Sequence, residues 1–260
     1  MTQRQTAIPD DVLTILKRSA IDGHILKLPG QLDRPIYERV DKVLRALGGK
    51  WNRKAKGHAF AFNPRELLGE AIDVGAYIDR KKALQFFETP AAVARRMIEL
   101  ARLSGAERIL EPEAGLGAIL RAIETDNVWV TAVEIDEQNF RHLLGLNPPY
   151  RLEVVNAEFL AWAKSTDERF DVVLMNPPFS DHQDIAHIKA AWALLNRGGR
   201  LVAVCGEGAF FREQRVDREF RDWLFEIGAE DEKLPPGTFS ESGTEVASRI
   251  ISVTKHGAQR

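Results

Sequence analysis

The sequence predicts an α/β fold: a mostly parallel sheet covered by helices on both faces, preceded by a small, basic α/β module. Three observations carry that expectation. From residue 87 onward, apolar strand-like runs alternate with helical stretches, the rhythm of βα units in a parallel sheet. Before that point a helical period and an alternating run, separated by paired glycines, mark a module of roughly eighty residues. The charge divides in the same way. Residues 1–86 carry 16 Lys/Arg against 10 Asp/Glu, a net of +6, which leaves −8 on the rest of a chain whose formal charge is −2.

In the first part, residues 11–20 (DVLTILKRSA) read as a helix with Asp10 or Asp11 as its cap. From Tyr37 to Leu47, Val40, Val43, Leu44 and Leu47 recur at helical spacing, and Gly48-Gly49 then ends the helix. In KWNRKAKGHAFAF the alternation of Ala59, Phe60, Ala61 and Phe62 predicts a short β-hairpin, with Trp51 packed inward. Pro64 opens another helix, running to Ala71. The expected units are a module over 1–82 and a larger domain over 83–260.

In the larger domain Thr89 suits an N-cap, Pro90 a first helical residue, and residues 91–103 a helix. Strands are expected at 108–110, 129–135, 152–155, 171–175, 200–205 and 246–253. Helices are expected at 116–123, 137–146, 185–195 and 215–227. In such sheets the ligand sits outside the carboxyl ends of the strands, so the residues directly after each strand matter most.

The first strand is followed by EPEAGLG. Gly115 and Gly117 let the backbone approach a ligand, though Gly-x-Gly alone marks a tight turn about as often. The acids Glu111 and Glu113 would repel a pyrophosphate, and no phosphate-loop Gly-Lys-Ser/Thr is present. A ligand with a positive centre, such as the sulfonium and ammonium of S-adenosylmethionine, matches better. The second strand ends AVEID, putting Glu134 about twenty residues on, where an acid accepts from both ribose hydroxyls. The third ends VVNAEFL, where Glu158 can accept from an adenine amino group and Phe159 can cover the ring. Three acids at the ends of three successive strands are unlike scattered surface carboxylates.

The fourth strand runs into Asn176-Pro177-Pro178-Phe179. Consecutive prolines forbid a regular helix start and free backbone carbonyls from a local ladder. The Asn176 amide oxygen and the Pro177 carbonyl can therefore converge on one –NH₂ group. An aromatic amine needs such acceptors, because its lone pair is delocalised until they draw the nitrogen toward tetrahedral geometry. Phe179 offers a face on which a flipped base can stack.

Taken in order, Phe87-Glu88-Thr89-Pro90, EPEAGLG, AVEID, NAEFL and NPPF resemble the motifs of amino-directed, adenine-N6 DNA methyltransferases. The similarity covers residue 87 to about 253, roughly two-thirds of the chain. It implies the class I methyltransferase (Rossmann-like) fold: seven strands, mostly parallel, with a final antiparallel strand near one edge. By the same resemblance Thr89 and Pro90 lie against the methionine part of the cofactor, Glu111 and the Gly115/Gly117 turn face its amino acid end, Glu134 faces the ribose, and Glu158 with Phe159 the adenine. Phe87, Pro112, Ile135, Asn156 and Asn176 join them as cofactor contacts. Glu113 and Leu116 depart from the small or polar residues usual at their positions, and the family's large C-terminal recognition domain is not expected among these residues.

The implied reaction is methyl transfer from S-adenosylmethionine to adenine N6 in DNA. RNA adenine N6, guanine N2 and a protein glutamine amide present the same planar –NH₂, and a catalytically inactive nucleic-acid-binding homologue is a further alternative. Lys50, Arg53, Lys54 and Lys56 around Trp51 are candidate phosphate contacts, as is Arg212. Arg212, Arg215 and Arg218 line a groove or form a solvated helix face, and the turn-rich segment 234–244 resembles a substrate-side loop of adenine methyltransferases. Cysteine-based C5 methylation is not expected, since the one thiol, Cys205, ends an apolar strand. The scattered histidines suggest no metal site. With no apolar leader at the N-terminus and no run of membrane-spanning length, the expected location is cytoplasmic.

Overall fold

The structure, a computed structural model, describes residues 5–79, 87–242 and 244–256. The expected boundary at residues 82 and 83 and Gly243 of the turn-rich segment lie outside them. The chain divides into two compact units, Met1–Phe86 and Phe87–Arg260.

The first unit runs β1 (Gln5–Ala7), α1 (Asp10–Lys17), β2 (Ala20–Asp22), β3 (Ile25–Lys27), α2 (Arg34–Ala46), β4 (Lys50–Asn52), β5 (Gly57–Ala59), α3 (Arg65–Val74) and β6 (Ala76–Ile78). Strands β2-β3-β5-β4 form an antiparallel sheet, and β1 pairs with β6. Helix α2 starts earlier than its apolar period, because the Asp33 carboxylate accepts from the Ile36 amide and Pro35 sits in the first turn. Its apolar residues Val40, Val43, Leu44 and Leu47 are all buried, with Val12, Leu16, Leu26, Phe60 and Leu68. Helix α1 departs from expectation at both ends. Pro9 occupies the cap, Asp10 and Asp11 stand in the first turn, and the helix stops at Lys17 so that residues 20–22 become a strand. The hairpin forms as β4 and β5, but the ladder ends at Ala59.

Trp51 corrects the expectation of a buried ring: it is 44% exposed. β4 is the edge strand, and its cross-strand partner His58 takes the interior place instead. That imidazole is fully buried, with Nε2 2.9 Å from Asp41 Oδ1 on α2.

The second unit contains α4 (Ala91–Ala101), β7 (Arg108–Glu111), β8 (Trp129–Glu134), α5 (Glu137–Leu144), β9 (Arg151–Asn156), α6 (Phe159–Ser165), β10 (Phe170–Met175), α7 (Gln183–Leu194), β11 (Leu195–Gly206), α8 (Arg215–Glu226), β12 (Glu230–Lys233) and β13 (Ser248–Thr254). The sheet order is β12-β13-β11-β10-β7-β8-β9. Strands β11, β10, β7, β8 and β9 are parallel, and β13 is antiparallel to both its neighbours. Period-2 alternation divides each central strand between two core layers. Val172, Leu174, Val202 and Val204 face α4 residues Val93 and Met97, whereas Val173, Met175, Leu201 and Cys205 face Ile185, Ile188 and Phe220.

Three further expectations need correction. Pro90, not Thr89, holds the cap of α4, and Thr89 is turned inward and buried. Residues 116–123 are not a helix but a series of turns with one 3-10 turn at Leu120–Ala122, because Gly115 and Gly117 both have positive φ. The additional strand β12 reads EDEK and is exposed throughout, so it carries no apolar alternation to betray it. It forms on β13, with Arg249 paired to Asp231 and Arg96 to Glu232.

Candidate active site

The chain proceeds outward from β7 through β8 to β9, then returns to place β10 on the other side of β7. That reversal opens a crevice at the carboxyl ends of β7 and β10, where ligands bind in open α/β sheets. The glycine turn follows β7 and Asn176-Pro177-Pro178-Phe179 follows β10, so topology brings the two motifs together.

Asn176 is oriented by the segment that precedes α4. Its Nδ2 donates to the Phe87 carbonyl at 3.2 Å and to Thr89 Oγ1 at 3.0 Å. A carbonyl can only accept, which fixes the amide orientation. Asn176 Oδ1 is then left buried and without a partner. An unmatched buried acceptor is costly unless something completes it, so it marks a place for a donor. Pro177 is buried, and Phe179 is partly buried against the first core layer. The same segment is held from two sides: the Glu88 carbonyl accepts from Ser242 Oγ at 2.6 Å, and Arg121 Nη2 lies 3.2 Å from Glu88 Oε1.

The glycine turn is clamped by a carboxylate. Glu134 Oε2 accepts from the Gly115 amide at 2.7 Å and Oε1 from the Asp136 amide at 2.8 Å. The turn also needs glycine at 117, where φ is +77° and an added Cβ would lie 3.1 Å from both Leu143 and Leu146. Glu111, at the end of β7, is 2% exposed, and its Oε2 is a buried oxygen without a partner. Burial pushes its carboxyl well above the ordinary range, and the charges of Glu113 and Glu134 push it further. Burial likewise raises Glu113 and Glu134. Carboxylates that repel one another in a desolvated turn favour a cation, and the sulfonium and ammonium of S-adenosylmethionine meet that demand. The residues present fit that cofactor.

Other expected residues have local partners. Glu158 caps α6, accepting from the Leu160 and Ala161 amides at 2.9 and 2.7 Å. Phe159 is buried in the second core layer. Asn156 Nδ2 donates to the Glu134 carbonyl at 2.9 Å, and Ile135 is exposed. Sequence reasoning missed His187 of α7, whose Nδ1 lies 2.5 Å from Glu113 Oε1 and whose ring centroid is 5.7 Å from that of Phe159. The only signal was the unusual acid at 113, which has its partner 74 positions away. Cys205 is fully buried; burial, then the neighbouring Asp184 carboxylate, raise its pKa well above that of a free thiol. That thiol stays protonated and is no nucleophile. Arg212 is exposed, Arg215 pairs with Glu219, and Arg218 lies 3.9 Å from Glu213. The hairpin residues Lys50, Arg53, Lys54 and Lys56 are exposed in the first unit. Among the described residues no three His, Cys, Asp or Glu side chains group to hold a metal ion, and no helix is long and apolar enough to cross a membrane.

Comparisons with known proteins bear on the fold and on the domain that contains these residues. Residues 98–223 match the family model described as the methyltransferase small domain. A type II methyltransferase of Thermus thermophilus is 38% identical over 101 residues, covering 38% of this chain and 22% of the relative. A tRNA1(Val) (adenine(37)-N6)-methyltransferase of Klebsiella pneumoniae is 35% identical over 86 residues, covering 30% of this chain and 35% of the relative. The chain thus spans about a third or less of the curated relatives it matches. Among solved structures, the methyltransferase subunit of a type I restriction-modification system from Streptococcus thermophilus superposes with a TM-score of 0.57 at 21% identity. It covers 75% of this chain and 50% of that one, a likeness of fold. The fold is that of the class I methyltransferases, and S-adenosylmethionine is the cofactor that this fold and the match over residues 98–223 support.

Proposed function

We propose that this chain methylates the N6 amino group of adenine in DNA, with Asn176 as the residue that prepares the amine. One observation carries the reading: Asn176 Oδ1 is buried and unpartnered while its Nδ2 is committed to two acceptors. Oδ1 accepts one amino hydrogen and the Pro177 carbonyl accepts the other. Held between them, the nitrogen is drawn toward tetrahedral geometry with its lone pair exposed. Phe179 stacks on the target base. Neither acceptor is a base, so the proton shed by the nitrogen passes to water.

Bound S-adenosylmethionine supplies a methyl group on a positively charged sulfur. Phe87, Thr89 and Pro90 lie along its methionine part, while Glu111, Pro112 and the Gly115/Gly117 turn receive its amino acid end. Glu134 accepts from the Gly115 and Asp136 amides and from the Asn139 side chain, which leaves one lone pair for a ribose hydroxyl, while Glu158 keeps a lone pair per oxygen for the adenine amino group. Exposed Ile135 gives the ring an apolar contact, with Asn156 and Phe159 behind it. Lys50, Arg53, Lys54, Lys56 and Arg212 contact phosphates. The enzyme acts in the cytoplasm.

A second reading keeps the chemistry and changes the polymer to RNA, a reading favoured by the tRNA adenine-N6 relative. Transfer of a tritiated methyl group to DNA, RNA and total protein separates the two: label in RNA alone rejects DNA. Asn176→Ala should lower turnover by about 100-fold or more with cofactor affinity nearly intact. Near-normal turnover in that variant would remove the basis of the mechanism.

A further inference from the structure

We infer that Trp51 is a base-stacking platform that binds an unpaired nucleotide of single-stranded nucleic acid, with the cations of its hairpin on the flanking phosphates. The inference rests on the reading of a nucleic-acid substrate and adds to it a strand state and a residue. A lone exposed aromatic is ordinary on a protein surface. This one is built. The residue is 44% exposed, yet its ring stands in T-shaped contact with Tyr37 at 6.1 Å and 87°, and with His58 at 5.3 Å and 71°. Behind it, His58 is fully buried and tied to Asp41, which pairs with Arg45 at 2.7 Å. A ring held from two sides loses little freedom when a base stacks on it.

The surroundings select the partner. Residues 50–60 contain Lys50, Arg53, Lys54 and Lys56 and not one Asp or Glu. Lysines on an edge strand also serve to block strand pairing. However, Arg53, Lys54 and Lys56 stand in the turn beyond β4, where no ladder is at risk. The Asn52 side chain accepts from the Ala55 amide at 2.9 Å and Lys56 adopts φ +50°, so the cationic turn has a defined form. A half-exposed indole beside clustered cations matches a strand whose bases are free to stack, not a duplex whose bases are already paired.

The test measures binding of the full chain to an oligothymidylate, to an abasic strand of equal length and to a duplex. Trp51→Ala should weaken oligothymidylate binding about 5- to 100-fold, the range that base–aromatic stacking supplies. Trp51→Phe, which keeps a ring, should retain most of the affinity and serves as the folding control. The abasic strand should bind weakly and be indifferent to Trp51→Ala. Lys54→Gln with Lys56→Gln should lower the dependence on salt without abolishing the preference for bases. Equal binding of abasic strand, duplex and oligothymidylate overturns the inference, as does unchanged affinity in Trp51→Ala. If the wild type methylates nucleic acid while Trp51→Ala has no effect, the platform alone fails. If it binds no nucleic acid and labels only protein, both readings fail.

Discussion

At the scale of single residues, the site is defined by oxygens that lack partners. Asn176 Oδ1 and Glu111 Oε2 are both buried and unmatched, and they stand at the carboxyl ends of β10 and β7, neighbours in the sheet. Glu111 makes a further demand. Its carboxyl pKa is raised by burial and by neighbouring acids, so between the ordinary value and the raised one the ligand-free protein holds a proton there. Stability from the protonated form is fully present below the ordinary value and is lost as pH rises through the raised one. A cationic ligand favours the ionised form, so cofactor binding should release a proton in that window, and affinity should rise with pH. Calorimetry in buffers of different ionisation enthalpy reads the release directly. Glu111→Gln should reduce it and weaken binding roughly 10-fold. A wild-type binding enthalpy that is the same in every buffer would contradict the assignment.

At the scale of elements, what the sequence made legible were those with apolar periodicity or a glycine stop. Val40, Val43, Leu44 and Leu47 mark α2, and the alternation of β10 and β11 between two core layers marks the sheet. The misses have physical causes. β12 is charged throughout and exists through its partner β13. Residues 116–123 look helical because Leu, Ile and Ala favour helices, yet two positive-φ glycines impose turns. Thr89 has the chemistry of a cap, but its hydroxyl accepts from Asn176. Gly117→Ala tests the turn: it imposes φ +77° on a residue with a Cβ and crowds Leu143 and Leu146. The expected loss is about 1–3 kcal/mol in denaturant unfolding, accompanied by weaker cofactor binding. Unchanged stability would show that the turn is not tightly specified.

At the scale of the molecule, the charge asymmetry between the first unit and the rest was visible in composition, but the exposure of Trp51 was not. Burial of a tryptophan is the ordinary outcome, but here the fully buried His58, tied to Asp41, takes the interior place and the indole stays at the surface. The order of the acids and the Asn176 loop was readable because each stands at a strand end. The Glu113–His187 pair was not, because its members lie on different elements. The proposed preparation of adenine N6 in DNA by the two acceptors at Asn176 and Pro177 is open to a single experiment: the full chain is incubated with DNA and isotopically labelled S-adenosylmethionine, and the digested nucleosides are analysed by mass spectrometry. The expected label is in N6-methyldeoxyadenosine, lowered about 100-fold or more with Asn176→Ala. Label in another deoxynucleoside, or in protein with none in DNA, would rule the proposal out.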